Sequence, residues 1–83
     1  MKVDVRYFAS LREQLGTAEW VELADGATVG QLRDLLMARS DAHAAALARS
    51  RAVRCAVNKV LSREDALLSD GAEVAFFPPV TGG

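Results

Sequence analysis

Cysteine, histidine, tryptophan and tyrosine occur once each in this chain of 83 residues, and proline only twice. A lone cysteine, Cys55, cannot close an internal disulfide, which points to a cytoplasmic protein. With His43 as the only histidine there is no His/Cys cluster to hold a metal. Basic excess is missing too. Ten Lys and Arg face eleven Asp and Glu, for a net charge of −1, so nothing is left over to neutralise the phosphates of a nucleic acid. No run of about 18 apolar residues could cross a membrane. Met1-Lys2 leads straight into an alternating pattern, which is not how a signal peptide begins.

What is present is 51% hydrophobic and 25% charged, the balance of one globular domain and not of a disordered chain. Val3, Val5 and Tyr7 alternate with Lys2, Asp4 and Arg6 as a half-buried strand. Ala9 to Leu15 reads as a short helical turn closed by Gly16. Glu19 to Leu23 forms a second strand, broken by Asp25-Gly26. Thr28 and Gln31 make a capping box ahead of the stripe Val29, Leu32, Leu35, Leu36, with Arg33, Asp34 and Arg39 on the opposite face. Asp41 is expected to cap a second helix through the alanine run to Ala48.

Val53, Cys55 and Val57 alternate in a third strand, Asn58-Lys59 turns the chain into Val60-Leu61, and Asp65 to Leu68 makes a short connection or 3₁₀ turn. Asp70-Gly71 is a hairpin-type signal before the last strand, Glu73 to Phe77. Arg49, Arg51 and Arg54 read as a solvated turn between elements. Strands at both ends around a central helix predict an α+β domain of the ubiquitin-like β-grasp type. Its mixed sheet packs on one main helix, with an extra short helix. The first and last strands then lie side by side in the centre. The division is 1–77 for the domain and 78–83 for a flexible C-terminal tail.

Catalytic groups are scarce. Cys55 sits on the apolar phase of its strand and reads as a buried, inert thiol. His43 reads as a surface histidine with no Ser or Asp placed to make it a base. Glu13, Glu19, Glu22 and Glu73 stand at positions expected to face solvent, and Gly26 and Gly30 lack the spacing of a phosphate loop. The chain is therefore read as having no active site of its own.

The tail carries the functional signal. If Val74 and Phe76 point into the core, period 2 sends Ala75 and Phe77 to the other face of the sheet. Phe77 would then be an exposed aromatic beside the exit of the tail, a mark of an interaction surface. Leu61 could extend that patch and Arg12 could add a charge at its rim. Pro78-Pro79 favour an extended start. The six residues from Pro78 to Gly83 reach about 20 Å when extended. A Gly82-Gly83 tip has no side chain to obstruct a narrow channel and ends in a carboxylate.

The run Asp70-Gly71-Ala72-Glu73-Val74-Ala75-Phe76-Phe77-Pro78-Pro79-Val80-Thr81-Gly82-Gly83 closely resembles the end of the small subunits of molybdopterin synthase. Ala56-Val57-Asn58 and the opening Tyr7-Phe8-Ala9 with Leu11-Arg12-Glu13 are similar as well, while Asp41 to Arg54 departs from the pattern. The resemblance implies a β-grasp sulfur carrier with no bound cofactor. In that family an E1-like enzyme spends ATP to adenylate the terminal carboxylate, and a sulfurtransferase system turns the adenylate into a thiocarboxylate. The large synthase subunit then takes the sulfur to build molybdopterin from cyclic pyranopterin monophosphate. By position, Gly83 is the site of chemistry, Gly82 and Thr81 thread the channel, and Phe77, Leu61 and Arg12 contact the partners. Two alternatives stand beside this: a ubiquitin-like modifier joined to lysines, and a sulfur carrier for thiamine or cysteine synthesis.

Overall fold

The alternation of Val3, Val5 and Tyr7 has its cause in the middle of a sheet. In a computed structural model that describes residues 1–79, these three side chains are 1% exposed or less and their neighbours face outward. They lie in β1 (Lys2–Tyr7). The other strands are β2 (Ala18–Glu22), β3 (Arg54–Val57), β4 (Val60–Ser62) and β5 (Glu73–Phe77). Three helices, α1 (Ser10–Leu15), α2 (Val29–Met37) and α3 (Asp41–Ala46), complete the element order β1-α1-β2-α2-α3-β3-β4-β5. Thr81, Gly82 and Gly83, to which the tail chemistry was assigned, lie outside the described residues.

The sheet runs β2-β1-β5-β3-β4. β1 and β5 are parallel neighbours, with Tyr7 beside Phe76, and all other pairs are antiparallel. This is the predicted β-grasp, a mixed five-stranded sheet with its first and last strands central. One face packs Val5, Val21, Val74 and Phe76 against Leu32 and Leu36 of α2 and Leu47 after α3. Among the described residues, ten side chains are less than 2% exposed, Tyr7 and Phe76 the largest. At roughly 1.5–3 kcal/mol for each large apolar side chain, this burial is the main term holding so small a domain.

Local sequence sets the element ends. Thr28 accepts from the Gln31 backbone N–H at 3.2 Å while Gln31 Oε1 accepts from the Thr28 N–H at 2.9 Å, so the capping box closes as read. α3 differs. Its cap is Ser40, whose Oγ accepts from the His43 N–H at 3.0 Å, and Asp41 is the first helical residue. Asp41 there still favours the positive end of the helix. Asn58 and Lys59 both take positive φ, 50° and 69°, the geometry of a tight turn between β3 and β4.

Asp70-Gly71 makes a turn, with Gly71 at φ 81°, but not a hairpin. The strand after it pairs with β1 and β3, not with β4. Gly71 N–H donates to the Lys2 carbonyl at 2.7 Å, and Asp70 Oδ1 accepts from the Lys2 N–H at 2.9 Å. The turn therefore clamps the start of β5 onto the start of β1, which sets their parallel register.

Arg33 is the clearest departure from the helical stripe. It was assigned to the outer face of α2 and is only 5% exposed. Its guanidinium donates to the carbonyls of Leu47 at 2.7 Å and Ala48 at 3.0 Å, and to Glu64 at 2.9 Å. The chain after α3 thus has its free carbonyls capped by a side chain from α2. Arg49 belongs to the same network, bound to Glu64, Asp34 and the Gly30 carbonyl, so it is no bare solvated turn.

Candidate functional site

Because β1 and β5 are parallel, both end at the same side of the sheet. At that side the chain leaves β1 through Phe8 and Ala9 into α1, and leaves β5 through Phe77 into Pro78-Pro79. The Phe8 N–H still donates to the Phe76 carbonyl at 3.1 Å, which extends the pairing to the last residue before the exit. Pro78 and Pro79 are half-buried. They wall a groove of about 330 Å³ together with Ser10, Leu11 and Gln14 of α1 and the segment Arg51–Val53. Pro78 and Pro79 are thus seated between α1 and the approach to β3.

Strand registers place the uncovered face of the sheet in rows. One row crosses Ala18, Arg6, Ala75, Ala56 and Leu61; the next carries Arg54 opposite Phe77, with Phe8 one position beyond the Tyr7–Phe76 pair. A third sets Trp20 opposite Asp4 and Asp4 opposite Glu73. Leu61 is 64% exposed and Trp20 62%, so this face carries large apolar side chains in water. Such patches mark interaction surfaces.

Phe77 lies on that face as its phase required, but it is half-buried and not exposed. The reason is its strand. β5 is central, so Phe77 is flanked on both sides, at the positions of Phe8 and Arg54. Leu61, on an edge strand, lacks such cover. Arg12 is exposed on α1 at the exit end. Phe77 and Leu61 therefore share one face, while Arg12 stands at the end from which the tail leaves. Trp20 and Phe8 belong to the same face and were not singled out from sequence. Their signal was there, since Trp20 is out of phase with Val21 and Phe8 with Tyr7.

The groups set aside as non-catalytic have structural partners. Cys55 is 7% exposed, its thiol lies 3.2 Å from the Ser62 carbonyl, and burial, then the Glu64 charge, push its pKa up. A thiol held protonated is a poor nucleophile. His43 is not a surface histidine. Its Nε2 donates to Glu19 at 2.9 Å, its Nδ1 lies 2.7 Å from Ser40 Oγ, and its side chain is 16% exposed. Glu19 does not face open solvent either: it also accepts from Tyr7 OH at 2.7 Å and Arg39 at 2.5 Å. Burial pushes the Glu19 carboxyl up, but the hydrogen bonds from His43 and Tyr7 and the nearby positive charges outweigh it, for a net lowering. Burial, then the bond to Glu19, raise the Tyr7 phenol. This network pins α3 to β1 and β2.

No helix among the described residues is long and apolar enough to cross a membrane, and the described residues hold no group of three or more His, Cys, Asp or Glu arranged for a metal.

Comparison with known proteins agrees with this geometry. The profile of the ThiS family matches residues 5–83. The chain is 47% identical over 81 residues to the molybdopterin synthase sulfur carrier subunit of Escherichia coli (strain K12), covering 98% of this chain and 99% of that one. It is 33% identical to small archaeal modifier protein 3 of Haloferax volcanii, with full coverage of both. Among solved structures it resembles a putative molybdopterin converting factor, subunit 1, from Pyrococcus furiosus, with a TM-score of 0.73 and 35% identity over 96% of this chain and 99% of that one. A ubiquitin of Caldiarchaeum subterraneum shares the fold at a TM-score of 0.61 and 18% identity, over 100% and 98% of the two chains.

Proposed function

This chain belongs to the ThiS family, and on that premise we propose that it is the sulfur-carrier subunit of a molybdopterin synthase. Gly83 supplies the carboxylate on which the sulfur travels. The observation that carries the reading is the 47% identity, over nearly the full length of both chains, to a sulfur carrier subunit of that enzyme. The parallel β1–β5 pair supports it, since it aims the chain out through Pro78-Pro79 beside an uncovered face bearing Phe77 and Leu61.

The chemistry follows from what a carboxylate lacks. Its oxygens are poor leaving groups, so an E1-like enzyme first joins the Gly83 carboxylate to AMP, releasing pyrophosphate from ATP. Sulfur delivered by a sulfurtransferase system then displaces AMP and leaves a thiocarboxylate. Gly82 and Thr81 are the slim segment threaded into the large subunit, where the sulfur is transferred to cyclic pyranopterin monophosphate. Phe77, Leu61 and Arg12 are the contacts that seat the domain while the tail is engaged, with residues 1–77 acting as the handle and 78–83 as the arm. The chain is then a substrate presented to other enzymes, not a catalyst.

Reconstitution tests this. The thiocarboxylated chain, mixed with large subunit and cyclic pyranopterin monophosphate, is expected to yield molybdopterin, whereas the unloaded chain yields none. Failure of the loaded chain to donate sulfur, together with Gly-Gly remnants on lysines of other proteins in cell lysates, would favour the protein-modifier reading suggested by the archaeal relative.

A further inference from the structure

The arginines of this chain divide into two sets. Arg6, Arg33, Arg39 and Arg49 each pair with a carboxylate. No carboxylate of the described residues comes within salt-bridge distance of Arg12, Arg51, Arg54 or Arg63. This second set is gathered at one end of the molecule. Arg12 and Arg51 flank the exit groove or its helix, and Arg54 lies opposite Phe77.

Arg54 and Arg63 are the informative pair. The β3–β4 register sets Cys55 opposite Ser62, which brings Arg54 and Arg63 to neighbouring positions one residue further on. There the strands part and leave a groove of about 300 Å³, with both arginines and Leu61 in its wall. Glu64 also lines it but does not neutralise them, because one of its oxygens is taken by Arg33 and the other by Arg49, each at 2.9 Å. Like charges at adjacent positions of a strand pair are destabilising. This domain carries two of them, exposed, beside its apolar face in a chain of net charge −1.

We propose that the Arg54–Arg63 groove docks a carboxylate-bearing segment of the protein that receives the tail, so that acidic side chains of that partner settle between the two guanidiniums while Phe77 and Leu61 meet its apolar surface. Charge complementarity favours this occupant, as does continuity with the face assigned above to partner contact. It rests on the reading that the tail is delivered to a partner protein. Charges at the rim of an interface act mainly by steering encounter and fixing orientation, which a carrier that must dock and leave repeatedly requires. Their effect is screened by salt.

Calorimetric titration against the large subunit of molybdopterin synthase tests it. The chain carrying Arg54→Ala and Arg63→Ala together is expected to bind about tenfold more weakly than the unaltered chain at low ionic strength. Its affinity should also vary less steeply with salt. Arg54→Lys with Arg63→Lys should recover most of the loss, and thermal unfolding of both variants should show that the domain is intact. Equal affinity and an equal salt slope in the alanine variant overturn the inference and leave the sulfur-carrier reading standing. The inference is equally overturned if sedimentation shows that the unaltered chain is a dimer which the alanine substitutions break without weakening partner binding. If the unaltered chain does not bind the large subunit at all, the reading falls, and the inference with it.

Discussion

At the scale of single residues, the guanidinium of Arg33 reaches from α2 to the Leu47 and Ala48 carbonyls, and a carboxylate of Glu64 meets it from the other side. Removing it takes that donor from the buried Leu47 carbonyl and the part-buried Ala48 carbonyl. Arg33→Ala is expected to destabilise the fold by about 3 kcal/mol in urea unfolding. Arg33→Lys should recover little, since an ammonium cannot reproduce the planar fork. Glu19 gives a pH signature. Its carboxyl pKa is lowered from the ordinary 4.5 in the folded chain, so its contribution is complete above that value and is lost as pH falls through the lowered one. Thermal midpoints followed from neutral to acid pH should therefore fall in the unaltered chain. Glu19→Gln should start lower at neutral pH and decline less in acid. Neither role was legible in the sequence. Arg33 flanks the apolar stripe of α2, and only the path of the chain after α3 decides that it is covered. Glu19, His43 and Tyr7 lie far apart in sequence, and nothing local says that they meet.

At the scale of elements, short-range chemistry was readable and long-range pairing less so. The Thr28–Gln31 box, the alternation of β1 and the Asn58-Lys59 turn depend on residues within a few positions of one another, and all three stand as read. Ser40 in place of Asp41 at the cap of α3 is a shift of one between two adjacent residues that both cap well. Asp70-Gly71 misled because a turn signal does not say which strand the following segment will join. Lys59 is held at φ 69°, where a side chain is strained and glycine is not. Lys59→Gly is accordingly expected to stabilise the domain by up to about 1 kcal/mol, read from the same denaturation curves. Phe77 marks the boundary of what phase alone can tell. Period 2 assigned its face correctly, but its degree of cover depends on the neighbours that a central strand acquires.

At the scale of the whole molecule, the proposed function gives the domain and the tail separate roles. Among the described residues, the 15 side chains of the core cluster all lie between Val3 and Phe76. Deleting Gly82-Gly83 is expected to leave the thermal midpoint unchanged and to abolish sulfur transfer. A lowered midpoint would mean that the tail supports the fold. The proposed division rests, in the sequence, on how little else the chain offers: one cysteine on an apolar phase, one histidine and scattered carboxylates. What sequence did not disclose was how charge is arranged around the exit, since pairing among arginines is fixed only when distant segments meet.

The carboxylate of Gly83 is where the proposed chemistry happens, and the intact mass of the full chain reads it directly. After incubation with ATP, the E1-like activating enzyme and a sulfur donor, the mass is predicted to rise by the difference between sulfur and oxygen, localised to Gly83 by fragmentation and absent when ATP is withheld. A mass that stays unchanged while a known sulfur carrier is loaded in the same mixture would contradict it.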